Sequence, residues 1–234
     1  MRTRDELVKR RAALSTSQLA LLEARLQQNA DAGVQGAHPL ASSSTLSLFR
    51  RPLEEPAVLS FAQQRFWFLQ QLAPESSAYN DIVAVYLHGH LNPDAIIRAL
   101  RELARRHEVL CCTFPEKAGQ PVIRIDRTWP ERLLLPVIDL CPLPGVEREQ
   151  SVQQWARKEM RRPFLLAEEL AWRTSLLRLA ETEHVFLLVL HHIITDAWSQ
   201  EIFLRELLAL YTAFYADQPL SLPALPLQYR DYAY

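Results

Sequence analysis

A layered α/β or α+β unit is predicted for residues 58–234 by three observations. Helix-like and strand-like patterns alternate along that stretch. An unbroken apolar run, Val185–Leu190, ends in the pair His191-His192. An amphipathic stretch at about 199–216 follows it directly.

In chain order, residues 5–29 read as a helical leader. Leu19, Leu22 and Leu26 form an apolar stripe, and Ser15 with Gln18 three residues on has the capping-box spacing. Residues 30–57 carry Gly, Pro and Ser without periodicity and read as a flexible linker. "LSFAQQRFWFLQQL" (59–72) reads as a helix with Ser60 as N-cap and Phe61, Trp67, Phe68 and Leu72 on buried faces. "DIVAVYLHGHL" (81–91) is rich in β-branched and aromatic residues and reads as a strand. Asn92-Pro93-Asp94 then opens a helix: a cap, a proline in the first turn and an acid at the positive end of the dipole, continuing to about His107. Short strands are expected at 109–114 and 120–126, a helix near 147–160, and strands at 174–180 and 184–191. Ser199 is the expected N-cap of the helix at about 199–216, and a proline-rich loop, "DQPLSLPALPLQ", follows that helix.

Composition narrows the function. The chain has 234 residues, 49% hydrophobic and 23% charged, which suits a globular domain with a sizeable core. A net charge of -1 supplies no basic surface for nucleic acid or an anionic membrane, so neither partner is expected. Three cysteines, with Cys111 and Cys112 adjacent, give neither a disulfide framework nor zinc spacing, and a reducing cytoplasm fits them best. The charged start "MRTRDELVKRR" has no apolar h-region after it, so no secretory signal is expected, and Val185–Leu190 is too short to span a bilayer.

The stretch "VLHHIITDAWS" concentrates the chemistry. Neighbouring side chains on a strand point to opposite faces, so His191 and His192 cannot both enter one cavity. One is then a structural core histidine, and the other projects from the strand's end. The same divergence opposes a shared metal ion. Asp196 lies close enough after the pair to fix the loop or orient a ring. Spacing alone leaves a structural strand and a catalytic strand end both open. His88 and His90 share a face, but two ligands do not make a site, and a half-exposed strand accounts for them.

Three ordered motifs resemble those of condensation domains from nonribosomal peptide synthetases. "HHIITDAWS" (191–199) resembles the His-His-x-x-x-Asp-Gly core motif, "LSFAQQRFWFLQQL" the opening motif Leu-Ser-x-Ala-Gln-x-Arg-x-Trp, and "RHEVLCCTF" (106–114) the motif Arg-His-Glu-x-Leu-Arg-Thr-x-Phe. "RRPFLLAEELAWRTSLLRL" (161–179) echoes a fourth, and "ESSAYN" (75–80) is similar to the segment seen where the donor ends in an L-residue. The resemblance covers about residues 58–234. It implies a chloramphenicol acetyltransferase-like fold of two pseudo-symmetric lobes, the first a mixed sheet flanked by helices, with the active site in a tunnel between the lobes. Carrier proteins would enter from opposite sides with thioesters on 4'-phosphopantetheine arms, the chain itself binding no cofactor, and the acceptor amine would attack the donor thioester. The second histidine of the motif is His192, which would accept the amine proton, or orient the amine and steady the charged intermediate. His191 would be structural, and Asp196 would hold the loop.

The chain departs from the pattern at the supports of that loop. The arginine that holds the motif's aspartate is Cys111 here, so a buried Asp196 would lack its cation at a cost of about 3–5 kcal/mol, unless Arg173 or Arg124 substituted. The glycine after the aspartate is Ala197, whose methyl would strain a positive φ. Pro-Phe-Asp-Leu becomes Pro163-Phe164-Leu165-Leu166, and a Gly-Pro pair becomes Glu169-Leu170. The sequence stops at "LQYRDYAY", where the family crosses into its second lobe. The expectation is therefore an N-terminal lobe that needs its missing C-terminal lobe, or a neighbouring synthetase module, for activity, with apolar surface exposed at the boundary. The alternative is a non-catalytic relic that docks a carrier or partner synthetase; a small acyltransferase acting on a diffusible acceptor shares the fold. Phe66, Trp67 and Phe68 are expected in the core, Arg65 in an ion pair or at the tunnel rim, and the two adjacent cysteines as small hydrophobes within a strand.

Overall fold

The computed structural model describes residues 49–52, 57–219 and 222–234; the helical leader at 5–29 and most of the 30–57 linker lie outside the described residues. Helix α1 (Phe61–Leu72) starts where the sequence signals it, with Ser60 and Gln63 closing a reciprocal capping box. Strand β1 (Asn80–His88) leads into α2 (Pro93–Arg106), whose first free amides, of Asp94 and Ala95, donate to the Asn92 side chain. A 3-10 turn, Glu108–Cys111, and the two-residue strand β2 (Cys112–Thr113) replace the expected strand at 109–114. The expected strand at 120–126 is likewise broken, into β4 (Gln120–Pro121), which pairs with β3 (Glu116–Lys117), and β5 (Arg124–Ile125), which pairs with β2. Between β3 and β4, Ala118 and Gly119 both take positive φ, the geometry of a tight two-residue hairpin loop. The short α3 (Trp129–Arg132), β6 (Val137–Asp139), α4 (Gly145–Arg161), β7 (Trp172–Ala180), β8 (Glu183–His191), α5 (Ala197–Tyr215) and α6 (Tyr229–Ala233) complete the described chain.

The main sheet has the order β1-β8-β7-β6, antiparallel except for the parallel β6–β7 pair. It is a mixed sheet with helices on both faces, and the burial of β8 shows why. Every residue from His184 to His191 is buried, so the strand has no solvent face. On one side Phe186, Leu188 and Leu190 join a core with Trp67 of α1, Leu100 of α2 and Phe203 of α5; on the other, Val185 and Leu187 pack with Val152 of α4. A continuous apolar run is the signature of a strand covered twice.

Indole N–H groups fasten the irregular segment 108–114 to this frame. Trp172 donates to the Leu110 carbonyl at 2.7 Å and Trp67 to the Phe114 carbonyl at 3.0 Å. The charged Arg106-His107-Glu108 motif has a clamping role. Arg106 and His107 both reach Oε2 of Glu206 on α5, at 3.0 and 2.7 Å, while Glu108 pairs with Arg230 of α6 at 2.8 Å and with Arg127. Arg50 Nε donates to the Pro226 carbonyl, and the Arg51 amide to Asp231, so residues ahead of Val58 also bind the C-terminal segment.

Cys111 and Cys112 are buried as small hydrophobes, although in a turn and at its exit rather than within one strand; their thiols donate to the carbonyls of Ala104 and Glu108. Burial pushes the Cys111 thiol up to about 11 and the Cys112 thiol up to about 12.

Leu188 is fully buried at the centre of β8, in the core shared with α1, α2 and α5. Leu188→Ala is expected to lower unfolding free energy by about 2–5 kcal/mol in urea titrations at unchanged m-value.

Candidate active site

The end of β8 separates the two histidines as strand alternation requires. His191 closes the ladder opposite Asn80, and its ring is buried among Phe66, Tyr79 and Phe164, with centroids 6.1–6.3 Å away. Its Nδ1 accepts the Ile193 amide proton at 3.0 Å, which places the ring's own proton on Nε2, a buried atom without a hydrogen-bond partner among the described residues. Burial first, and then the charge of neighbouring His192, lower its pKa to about 4. This histidine stays neutral and packs.

His192 leaves the sheet. Its amide still bonds to the Tyr79 carbonyl at 2.9 Å, but the ring is half-exposed and lines a cleft of about 560 Å³ with Phe66, Leu110, Ile194 and Phe203. Phe66 stacks on the imidazole, with centroids 5.6 Å apart and planes 17° from parallel. The Nδ1 atom lies 3.3 Å from the Thr195 carbonyl, and Nε2 lies 3.1 Å from Oδ2 of Asp81. Gln200 of α5 donates to the same Oδ2 at 2.9 Å. The loop beneath is held by Gln63 of α1, whose Nε2 donates to the Ile193 carbonyl at 3.2 Å.

Asp196 differs from its expected setting. It is exposed rather than buried, and it is the N-cap of α5: Oδ1 accepts from the Ser199 amide at 2.8 Å and from the Ser199 hydroxyl at 2.6 Å. Ser199 is therefore a donor to the cap and not the cap itself. The Ser199 hydrogen bonds hold the Asp196 carboxyl below its ordinary range. An exposed, capping carboxylate requires no buried cation, so Cys111 in place of arginine leaves no orphaned charge. Neither proposed substitute reaches it: Arg173 pairs with Glu159 at 2.9 Å, and Arg124 bonds to Thr113 and the Ala167 carbonyl. Ala197 is the first helical residue and takes no positive φ, so its methyl strains nothing.

Trp67 and Phe68 pack in or against the core as expected, whereas Phe61, expected on a buried face, is exposed at the first position of α1 and Phe66 is also a face of the cleft. Arg65 lies over the Phe66 ring at 5.0 Å and lines the same cleft. Asp81 and Gln200 were not singled out by sequence. The one signal was a carboxylate opening an otherwise apolar strand, but only the β1–β8 register, with Asp81 opposite Leu190, brings it to His192.

Two outcomes follow. Asp196→Ala should cost about 1 kcal/mol in denaturation while Asp196→Asn, which keeps an accepting oxygen, costs only tenths; equal losses would show that the charge matters. Because His191 titrates near 4 when folded and near 6.5 when unfolded, only the unfolded chain gains that proton as pH falls through this window. Stability should therefore drop by about 3 kcal/mol between pH values of about 6.5 and 4. His191→Gln should remove that part of the slope in parallel urea titrations.

Known proteins share this arrangement of sequence and fold. The protein-family model for the Condensation domain matches residues 54–234. Chondramide synthase cmdD of Chondromyces crocatus is 44% identical over 185 residues, 78% of this chain and 5% of that protein. Phosphinothricin tripeptide synthetase PhsC of Streptomyces viridochromogenes is 37% identical over 231 residues, 98% of this chain and 20% of that protein. Among solved structures, the X-domain complexed with OxyB from teicoplanin biosynthesis superposes with a TM-score of 0.73 at 30% identity, covering 82% of this chain and 40% of that one. The first condensation domain of the calcium-dependent antibiotic synthetase, solved with a substrate analogue, gives 0.66 at 25% identity, covering 74% and 42%. The chain thus spans a small part of each synthetase and well under half of each solved chain. Its mixed sheet and helices have the chloramphenicol acetyltransferase-like fold, and the chain belongs to the condensation-domain family of nonribosomal peptide synthetases.

Proposed function

We propose that this chain supplies the reacting imidazole, that of His192, for peptide-bond-forming condensation: acyl transfer from a donor thioester to the amine of an acceptor aminoacyl thioester. The observation that carries the reading is the placement of that ring. It projects from the end of a rigid, doubly covered strand into a cleft, stacked on Phe66, while its neighbour His191 is buried. A base held this way contributes roughly 10²–10⁴-fold, and orienting the two thioesters contributes further. His191 serves as core packing and Asp196 as the cap that fixes the loop between the histidines and α5. The substrates would arrive on 4'-phosphopantetheine arms of partner carrier proteins, with a second lobe completing the tunnel, so no resident cofactor is needed. The "ESSAYN" segment supports an L-configured donor. Cys111, Cys112 and Cys141 form no disulfide among the described residues, which suits a cytoplasmic setting. Among the described residues no helix is long and apolar enough to cross a membrane.

The test mixes this chain with a matching second lobe and two loaded carriers and follows dipeptidyl thioester by mass spectrometry. His192→Ala should lower the rate by roughly 10²–10⁴-fold with carrier binding unchanged. A rate indifferent to that substitution overturns the role of His192, and no product with the second lobe supplied leaves docking without chemistry.

A further inference from the structure

The surroundings of His192 are unbalanced in a specific way. Both ring nitrogens face acceptors: Nδ1 faces the Thr195 carbonyl at 3.3 Å, and Nε2 faces the Asp81 carboxylate at 3.1 Å. A neutral imidazole has one N–H and can satisfy only one of them. The full charge and the shorter distance favour the proton on Nε2, and in that form the ring has no lone pair directed at the carboxylate side. Asp81 is itself half-exposed at the start of β1, and its Oδ2 is shared between His192 and Gln200.

An ammonium group resolves this conflict. It carries several N–H donors and a positive charge, so it can serve the carboxylate and the ring nitrogen together. The imidazole proton then resides on Nδ1, donating to Thr195, and Nε2 becomes an acceptor. α-Amino groups have ordinary pKa values of about 7.7–8.0, so an acceptor amine is largely in this form at neutral pH.

We propose that Asp81 and His192 together form the subsite for the acceptor's α-ammonium, Asp81 binding its charge and fixing which nitrogen of His192 carries the proton. The inference rests on His192 being the reacting imidazole. The ammonium passes one proton to Nε2, leaving a neutral amine and an imidazolium whose two N–H groups match Thr195 and Asp81. The amine nitrogen then bonds to the thioester carbon as the C–S bond breaks, and its second departing proton neutralises the pantetheine thiolate. Asp81 thereby links arrival of a cationic acceptor to release of the base.

Nitrogen-15 NMR of the histidine rings tests the positioning directly in this chain, at a pH of about 7.5, above the ordinary histidine value and below the ordinary α-amino value. The wild type is expected to carry the His192 proton on Nε2, and Asp81→Ala, which leaves Nε2 without that acceptor, to carry it on Nδ1. Alanyl-pantetheine thioester should shift the wild-type ring toward the Nδ1–H form, whereas its N-acetylated analogue should not. In condensation with a second lobe and loaded carriers, Asp81→Asn should raise the acceptor KM by about 10–100-fold and leave the donor KM unchanged, with Asp81→Glu recovering part of the loss. The same tautomer in wild type and Asp81→Ala overturns the proposal whatever the assay gives. An unchanged acceptor KM in Asp81→Asn, alongside loss of product in His192→Ala, overturns it while leaving the catalytic role of His192 intact. Activity indifferent to His192→Ala removes both.

Discussion

Strand β8 has no face left to water, and a polar ring on it reaches solvent only where the ladder stops. Helices α1, α2 and α5 cover one side and α4 the other. Within that sandwich a histidine must be neutral, and His191 is, with burial as the main cause. One residue later the chain turns, and the next ring enters the cleft. The site is thus a property of the strand's terminus: the same packing that makes β8 rigid also fixes where His192 projects.

The loop that follows is held by short-range hydrogen bonds rather than by a long-range ion pair. Asp196 caps α5 through Ser199, Gln63 ties down the Ile193 carbonyl, and Tyr79 takes the His192 amide. This arrangement explains how the chain tolerates a cysteine at position 111 and an alanine at 197. The cysteine fills core volume and gives its thiol proton to the Ala104 carbonyl, while the alanine is the first residue of a helix, where it is favoured. The charged residues of the Arg106-His107-Glu108 motif, which invite a catalytic interpretation, are committed to Glu206, Arg230 and Arg127. They join α2 to α5 and to the C-terminal segment, and His107 itself lines the cleft.

Periodicity and capping chemistry made most of the architecture legible. Ser60 with Gln63, and Asn92 with Pro93 and Asp94, mark helix starts because a free amide needs an acceptor at a fixed offset, and both caps are formed. The alternation rule correctly divided His191 from His192. One expectation fails where the backbone is tied by a partner distant in sequence, another at a cap three residues away. The segment 109–114 has strand-like residues, yet its first part winds into a 3-10 turn whose Leu110 carbonyl is claimed by Trp172. Serine's capping propensity points to Ser199, but Asp196, three residues earlier, has the extended backbone and the acceptor oxygen.

Local chemistry in the sequence therefore determined the helix caps, the buried strand and the divergence of the paired histidines, since each depends on residues a few positions apart. Only the tertiary structure decided what surrounds the exposed imidazole. Asp81 and Gln200 meet it across the β1–β8 pairing and from the first turn of α5, separated by 119 residues of chain. Register and helix packing set that meeting, and both arise from the whole core settling at once, which no short window of sequence contains.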